Sequence, residues 1–342
     1  MTQDNSLYRH KLFIDNKEVL SSSSGSISFN GNNQLNSLSV KVNDIDMQHK
    51  SLFNKKVEFF LNESGQDDSL PLFRGFIKEF TPIETGVNLS VLDVRSVLSG
   101  NDGVKISLTD EDNFDGKTLA QYIYAVITDN VNVNETVIGL DMLSDSNPVT
   151  LIQGLRGTNL DAYKIMTDAI STVIDDTDFV NPLASFIDVR EDSEKSNIVI
   201  TKDKQITNKP SYTFSFNDGI RKLTFKRRLP ANTAYYKGRT EKYTNRPKGQ
   251  TATTVAELDD VAKTRNLALQ ELLLAQQEQD EIKIQVSKGY DIGLGSLINL
   301  DVPEDDVRGI HRVQGKTITF GNSMNCTLML NKKPIKLSDY IN

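Results

Sequence analysis

The sequence has one cysteine, three histidines and no tryptophan in 342 residues. A single cysteine, Cys326, excludes a framework of intrachain disulfides, and its place in the alternating run NCTLML predicts a buried strand residue. Apolar runs such as YIYAVI (122–127) fall well short of the roughly 20 residues that a membrane-spanning helix needs. The N-terminal stretch has no apolar segment behind a basic start. We therefore expect no secretory signal and no membrane span, and we expect folding in a reducing cytoplasm.

Motifs for enzymatic chemistry are missing as well. Gly116-Lys-Thr118 resembles the end of a phosphate-binding loop, but Glu111 stands where the first glycine of that motif belongs. The acidic stretch 110–116 lacks the glycine and the bidentate glutamate of a calcium loop, so we interpret it as an acidic lead into a helix. The three histidines are far apart in the sequence. We predict no catalytic residue, no metal site and no cofactor.

Charge is distributed unevenly along the chain. Residues 1–220 contain 19 Lys and Arg against 32 Asp and Glu, whereas residues 221–342 contain 20 against 14. Most of the positive excess lies in the basic segment, residues 221–248, which has ten basic residues and one acidic residue. Such polarity favours ordered contact with other macromolecules.

The basic segment has three interpretations. Tyr235, Tyr236 and Tyr243 among lysines and arginines fit a nucleic-acid surface with stacking rings, although the acidic first 220 residues argue against a general nucleic-acid binder. The same residues fit a pair of strands whose tyrosines are core and whose cations are solvated. They also fit an interface with an acidic protein. The residues that we assign to such an interface are Lys226, Arg227, Arg228, Lys237 and Arg239.

Short alternating stretches between turn residues predict antiparallel strands at both ends of the chain. Near the start, KLFIDNKEV (11–19) predicts two strands around an Asp-Asn turn, and SSSSG (21–25) predicts a loop. From about residue 206 the strands return. A capping box that begins at Thr254 predicts one long helix among them, over about 254–278.

The middle of the chain has a helical pattern. In DGKTLAQYIYAVITD (115–129) the apolar residues share one helical face behind a cap at Asp115. A second helix is predicted over 158–174, with Thr158 and Asp161 at the spacing of a capping box. The predicted domains are an N-terminal β-barrel (1–100), a small α/β middle domain (101–205) and a second β-barrel with the inserted helix (206–342).

An Arg-Gly pair occurs near each end, in FRGFIKEF (73–80) and in VRGIHRV (307–313), and an alternating strand follows each. Either one barrel has been duplicated or two unrelated β-domains share a short motif. We predict a duplication, and hence a mainly β fold of two similar small barrels separated by an α-rich module. Arg74-Gly75 and Arg308-Gly309 should then lie on equivalent strands, with each glycine where a side chain would obstruct a neighbouring backbone or a bulge.

Strand rhythm and glycine spacing, rather than reactive residues, give the sequence a resemblance that covers nearly its whole length. The stretches that carry it are 72–98, 116–127, 158–169, 255–277, 289–302 and 309–330. Their arrangement resembles the central hub proteins of phage tail baseplates and related contractile injection machines.

The resemblance implies a homotrimer in which two barrels from each chain make a ring of six, so that a threefold central spike can meet a sixfold tail tube. The implied partners are the spike, tail tube proteins and other baseplate proteins, with DNA passing through the channel without specific binding. The implied location is the virion tail baseplate, assembled in the host cytoplasm.

Three points stay open at the level of the sequence. The chain ends just after the last predicted strand, so we expect the spike and any hydrolase on separate polypeptides. A tail-associated cell-wall hydrolase or carbohydrate-binding β-protein is the alternative function. A contractile tail, a flexible tail and a non-viral injection device all fit.

Overall fold

The protein is mainly β, as predicted. The computed structural model describes residues 8–20, 22–31, 34–43, 52–63, 70–99, 104–108, 119–130, 138–140, 157–171, 185–202, 210–227, 233–236, 239–242, 252–254, 280–303, 307–321 and 323–332.

Strands dominate both ends of the chain. Those before the first helix are β1 (Tyr8–Ile14), β2 (Lys17–Glu18), β3 (Ser22–Asn30), β4 (Ser37–Asn43), β5 (Lys56–Glu63), β6 (Phe73–Ile83), β7 (Gly86–Asp93) and β8 (Lys105–Leu108), with a 3-10 helix at Val94–Leu98. The middle elements are α1 (Leu119–Asn130), β9 (Ile138–Leu140), β10 (Gly157–Asp161), α2 (Ala162–Ser171), β11 (Ser185–Glu191) and β12 (Ser196–Lys202). The remaining strands are β13 (Tyr212–Phe214), β14 (Ile220–Arg227), β15 (Thr233–Tyr236), β16 (Arg239–Lys242), β17 (Ala252–Thr254), β18 (Asp280–Val286), β19 (Leu297–Leu300), β20 (Gly309–Phe320) and β21 (Asn325–Lys332).

One sheet of 13 strands contains strands from both ends of the chain. Its order runs β14-β18-β21-β20-β3-β4-β7-β6-β5-β1-β2, with β19 beside β20 and β13 beside β19. The two ends meet where β20 pairs antiparallel with β3, from Gly315 opposite Asn30 to Phe320 opposite Gly25. The N-terminal and C-terminal strands therefore share backbone hydrogen bonds.

Within this sheet, five strands near each end repeat one arrangement. The first β-unit consists of β3 to β7, and the second β-unit consists of β14, β18, β19, β20 and β21. In each unit the spatial order is first, second, fifth, fourth and third strand, and every neighbouring pair is antiparallel. Consecutive strands are most often neighbours, so the same non-sequential order in both units indicates a duplicated unit.

Strand register supports the same conclusion. In each unit the register shifts by one residue between the first and second strands, next to Val42 in β4 and next to Val286 in β18. It shifts again between the fourth and fifth strands, next to Val91 in β7 and next to Leu330 in β21. An extra residue in a strand bends it and re-aims its side chains. Two such shifts at matching places therefore give both units the same shape.

The matching registers align the two units residue by residue. The buried face of the second strand is Leu38, Val40 and Val42 in β4 and Ile282, Ile284 and Val286 in β18. The fifth strand contributes Val87, Leu89 and Val91 in β7 and Cys326, Leu328 and Leu330 in β21. Cys326 is thus the counterpart of Val87. Its complete burial confirms the prediction of a small apolar strand residue.

Each β-unit has its own apolar core, and the cores touch at the β3–β20 junction. Phe320 of β20 belongs to the core of the first unit. Phe29, Leu61, Leu72 and Met324 pack against both cores. The apolar contacts therefore continue across the strand pairing.

The middle of the chain forms a third core around both predicted helices. Its described residues comprise two helices and five strands, so strands outnumber helices there. The predicted cap at Thr158 is wrong, because Gly157–Asp161 forms β10 against β8. Asp161 caps α2 instead, since its Oδ1 accepts a hydrogen bond from the Lys164 amide at 3.1 Å.

Two local predictions near the start had different outcomes. The Asp-Asn turn between β1 and β2 is confirmed, with positive φ values of 54° at Asp15 and 64° at Asn16. The predicted loop at 21–25 is wrong, because β3 begins at Ser22. Serine has a weak strand preference, but pairing with β4 decides the conformation of this stretch. The acidic stretch 110–116, the cap at 115 and the long helix after Thr254 lie outside the described residues.

Candidate assembly surfaces

Three of the five basic residues assigned to an interface are described, and they lie on two different sheets. Lys226 and Arg227 end β14, at the outermost position of the large sheet, whereas Arg239 begins β16 in a separate three-stranded sheet. The Lys226 side chain is 65% exposed, and its Nζ lies 3.9 Å from Glu281 Oε2 on the neighbouring strand. Arg228 and Lys237 lie outside the described residues.

Arg74, in the first Arg-Gly pair, is a buried clamp between the first β-unit and the middle of the chain. Its side chain is only 1% exposed, and its Nε donates to Glu58 Oε1 on β5 at 2.7 Å. Its Nη1 reaches Glu191 Oε2 at the end of β11 at 3.1 Å, and its Nη2 donates to the Ser193 carbonyl at 3.1 Å. One guanidinium therefore bridges two carboxylates from different parts of the fold.

A second buried arginine, Arg95, joins the same two parts. Its Nη2 lies 2.5 Å from Asp93 Oδ2 and donates to the Gln34 carbonyl at 3.0 Å. Its Nη1 donates to the Ile187 carbonyl of β11 at 3.3 Å and to the Tyr163 hydroxyl of α2 at 3.4 Å. Because these partners come from the first β-unit, α2 and β11, Arg95 fixes the position of the middle core.

Burial and charge shift the pKa values around both clamps. Burial raises the pKa of Glu191 to about 7, against the lowering effects of the Ser196 hydrogen bond and the Arg74 charge. Burial acts in the same direction on Glu58, but the hydrogen bonds from Arg74 and Lys56 leave its pKa below the usual value. Burial likewise raises the pKa of the Tyr163 hydroxyl to about 12, so it stays protonated. Glu191 is therefore the one of these three groups that titrates near neutral pH.

We expect Glu191→Gln to change how stability depends on pH. The folded state holds a proton on Glu191 up to about pH 7, whereas an unfolded glutamate releases it near its ordinary pKa. The parent therefore loses folding stability as pH rises between these two pKa values, and a glutamine at this position does not titrate and avoids that loss. From pH 5 to pH 7.5 the free energy of unfolding of the variant should rise by on the order of 1–3 kcal/mol relative to that of the parent. Urea unfolding at each pH measures it, and parallel curves of unfolding free energy against pH for the two proteins would contradict the prediction.

The β3–β20 junction combines backbone pairing with tight side-chain packing. Lys316 is buried, its Nζ lies 4.6 Å from the centroid of the Phe29 ring, and it donates to the Tyr290 carbonyl at 2.9 Å. Gly25 is required here, because a Cβ at this position would lie 2.6 Å from the Phe320 ring of β20 and 2.3 Å from the Ser39 carbonyl oxygen of β4. The junction is therefore a specific contact between the units.

The two Arg-Gly pairs lie on equivalent strands but not at equivalent positions. Relative to the shared register shift, Arg74 matches position 310 of β20, whereas Arg308 directly precedes that strand and so falls two residues earlier. A Cβ on Gly75 would lie 2.1 Å from the Leu92 carbonyl oxygen, as predicted, whereas a Cβ on Gly309 would meet nothing within 4 Å. Gly309 is instead favoured by its φ of +118°. The exposed Arg308 donates to the Val302 carbonyl through its Nε at 3.0 Å.

Arg95 and Asp93 did not stand out in the sequence analysis. Their signal is the Asp-Val-Arg triplet 93–95 at the end of the alternating run NLSVLDV, in a stretch where every residue from Asp93 to Ser96 is buried. Charged side chains in such a run are buried only when they form ion pairs. The triplet therefore predicts an internal ion pair, although not its partners in the middle core.

Among the described residues, no group of three or more His, Cys, Asp or Glu side chains is arranged to hold a metal ion. None of the helices described is long and apolar enough to cross a membrane.

Comparisons with known proteins agree with this architecture. No protein-family model and no curated protein matches the chain. Among solved structures, a tail protein from Neisseria meningitidis MC58 is 14% identical with a TM-score of 0.70, over 97% of this chain and 99% of that chain. The 43 kDa tail protein of prophage MuSo2 from Shewanella oneidensis is 9% identical with a TM-score of 0.67, over 94% and 96%.

A third similar structure comes from a secretion machine. It is a component of the type VI secretion system of E. coli that is described as similar to the bacteriophage T4 tail proteins gp27 and gp5. It is 10% identical to this chain with a TM-score of 0.55, over 95% of this chain and 77% of its own. The chain therefore has the fold of phage tail proteins, as its resemblance to baseplate hubs implied.

Proposed function

We propose that the chain is a structural hub protein of a tail baseplate, and that three copies place six β-units around a central channel. The observation that carries this proposal is the duplicated β-unit, with its repeated strand order and register shifts. A trimer of chains that each contain two similar units has exact threefold symmetry and approximate sixfold symmetry. Such a ring can join a sixfold tail tube to a threefold spike.

The similar structures support a tail role because they match over nearly the whole chain. The type VI secretion component adds that the fold also occurs in a secretion machine. We infer that the partners are the central spike, tail tube proteins and other baseplate proteins. DNA or a tape-measure protein would pass through the channel without specific binding, and the chain would be assembled into the virion tail baseplate in the host cytoplasm.

The buried clamps suit this role. A hub that transmits force between tube and spike has to keep its parts in fixed positions. Arg74 and Arg95 fix the middle core on the first β-unit, and β3–β20 fixes one β-unit against the other. Each chain would thus enter the ring as a rigid body with both β-units already aligned.

Light scattering and electron microscopy test the proposal. We expect a particle of three times the chain mass of 38.2 kDa, with a central hole surrounded by six similar densities. A monomer at micromolar concentration in the presence of its spike would overturn the hub. Clearing of cell wall on a zymogram by such a monomer would favour the alternative, a tail-associated hydrolase.

The basic segment supplies a kinetic prediction. We propose that its cations meet acidic groups of an adjacent subunit or tail protein, because the first 220 residues are strongly acidic. Arg227→Glu with Arg228→Glu should slow assembly at low salt, and the difference should vanish at high salt. Each exposed pair contributes only about 0.2–1 kcal/mol, so the isolated chain should fold normally. Normal assembly with lost DNA retention on a gel would support contact with the genome instead.

A further inference from the structure

The outer edge of β20 is used in two successive parts. Residues Gly309–Arg312 pair with β19, the third strand of the same β-unit. After the register shift, Gly315–Phe320 pair with β3, the first strand of the other β-unit. The fourth strand of the second unit thus receives the first strand of the first unit.

In the equivalent strand of the first unit, β6, only the first of these two parts of the outer edge is paired with another described strand. Its edge pairs with β5 over Phe73–Phe76, as β20 pairs with β19. Beyond the register shift, Glu79–Ile83 pair with β7 on the other side. At the far end of the sheet, β14, the equivalent of β3, has β18 as its one neighbour among the described strands.

We propose that β14 of one copy pairs antiparallel with the Glu79–Ile83 edge of β6 in the next copy, reproducing the β3–β20 junction between subunits. This inference rests on the proposed hub, because it names the contact that closes the ring. Each β-unit then donates its first strand to one neighbour and receives a first strand from another. A head-to-tail contact of this kind closes when the rotation per copy is one third of a turn.

The junction within the chain fixes the register between chains. Aligning the shared register shifts places β6 residue 79 at the position of Gly315 and β14 residue 223 at the position of Gly25. The expected opposite pairs are Glu84 with Leu223, Ile83 with Thr224, Pro82 with Phe225, Thr81 with Lys226, and Phe80 with Arg227.

The residue types at these positions are complementary. In the junction within the chain, Lys316 of the fourth strand lies over the Phe29 ring of the first strand. The proposed pairing again places a cation opposite an aromatic ring, but here the ring, Phe80, is on the fourth strand and the cation, Arg227, is on the first. On the opposite face, the exposed Lys226 comes diagonal to the exposed Glu79, within reach of a long side chain. An acidic edge thus meets a basic strand.

Proline has a defined place in this pairing. Pro82 is the counterpart of Ile318 and has no amide hydrogen to donate to a ladder. Proline also discourages unlimited pairing of exposed strand edges. The contact between chains would therefore have fewer hydrogen bonds than β3–β20 and would rely more on the charged and aromatic pairs.

Disulfide cross-linking tests the register. The double variant Thr81→Cys, Lys226→Cys should form chain-to-chain disulfides on mild oxidation, because directly opposite strand residues meet the distance that a disulfide needs. Denaturing gels without reductant should then show covalent trimers. Cys326 should not interfere, since it is buried and burial raises the pKa of its thiol to about 11.

Matched variants separate the possible outcomes. The off-register pair Thr81→Cys, Thr224→Cys should cross-link about tenfold less, because diagonal residues are too far apart. Single variants should run as monomers. A trimer by light scattering that resists cross-linking at 81 and 226 would overturn this contact and leave the hub intact. Preferential cross-linking of the off-register pair would overturn the register. Absence of any trimer in the parent protein would overturn both proposals.

Discussion

Replacing Arg95 with methionine should lower the free energy of unfolding by about 3–5 kcal/mol, because it leaves the buried Asp93 without its cation. Methionine fills part of the same volume without a charge. The Asp93 carboxylate would keep two backbone donors, the amides of Asn36 and Arg95. Urea unfolding at a fixed protein concentration measures the loss.

Two further variants separate charge from packing. Arg221→Met, at an exposed position on β14, should change stability by no more than about 0.5 kcal/mol. Adding Asp93→Asn to Arg95→Met should recover part of the loss, because it removes the uncompensated charge. Equal losses for Arg95→Met and Arg221→Met would contradict the role of Arg95 as an internal clamp.

Local pattern was sufficient to predict most strands of this protein. The alternating run NCTLML gave β21, and KLFIDNKEV gave β1, β2 and the Asp-Asn turn between them. These predictions succeed because one buried face and a period of two are local properties. The duplication was also suggested by the sequence, although by a motif that proved two residues out of register.

What the sequence could not supply depends on contacts between distant segments. Pairing of β3 with β20 joins residues about 290 positions apart, and no local pattern encodes a partner at that distance. For the same reason Ser22 was assigned to a loop, whereas its pairing with β4 makes it a strand residue. The partners of Arg74 and Arg95 also come from the middle of the chain.

The two Arg-Gly pairs show how an identical motif can take different roles. At Arg74 the strand is flanked by β5 and the end of β11, so the guanidinium is enclosed by carboxylates. At Arg308 the side chain is 54% exposed, and its Nε lies 3.9 Å from Asp301 Oδ1. A comparison of the two arginines is therefore a natural test of what the surroundings contribute.

Arg74→Met should also cost about 3–5 kcal/mol at pH 8, since it leaves two partly buried carboxylates, Glu58 and Glu191, without their shared cation. Arg308→Met is the matched control and should stay within about 0.5 kcal/mol of the parent. This loss should depend on pH. Glu191 has a raised pKa, so at acidic pH it is protonated and does not need the cation.

The loss caused by Arg74→Met should therefore grow as pH rises above about 7, because the parent then ionises Glu191 beside Arg74 whereas the variant has no cation there. Native-state hydrogen exchange adds a spatial readout. Amides of β11 and β12 should exchange faster in Arg74→Met than in Arg308→Met, because the clamp holds the end of β11 on the first β-unit. A loss that does not change with pH, or faster exchange spread evenly over the fold, would show that Arg74 stabilises the protein only through packing.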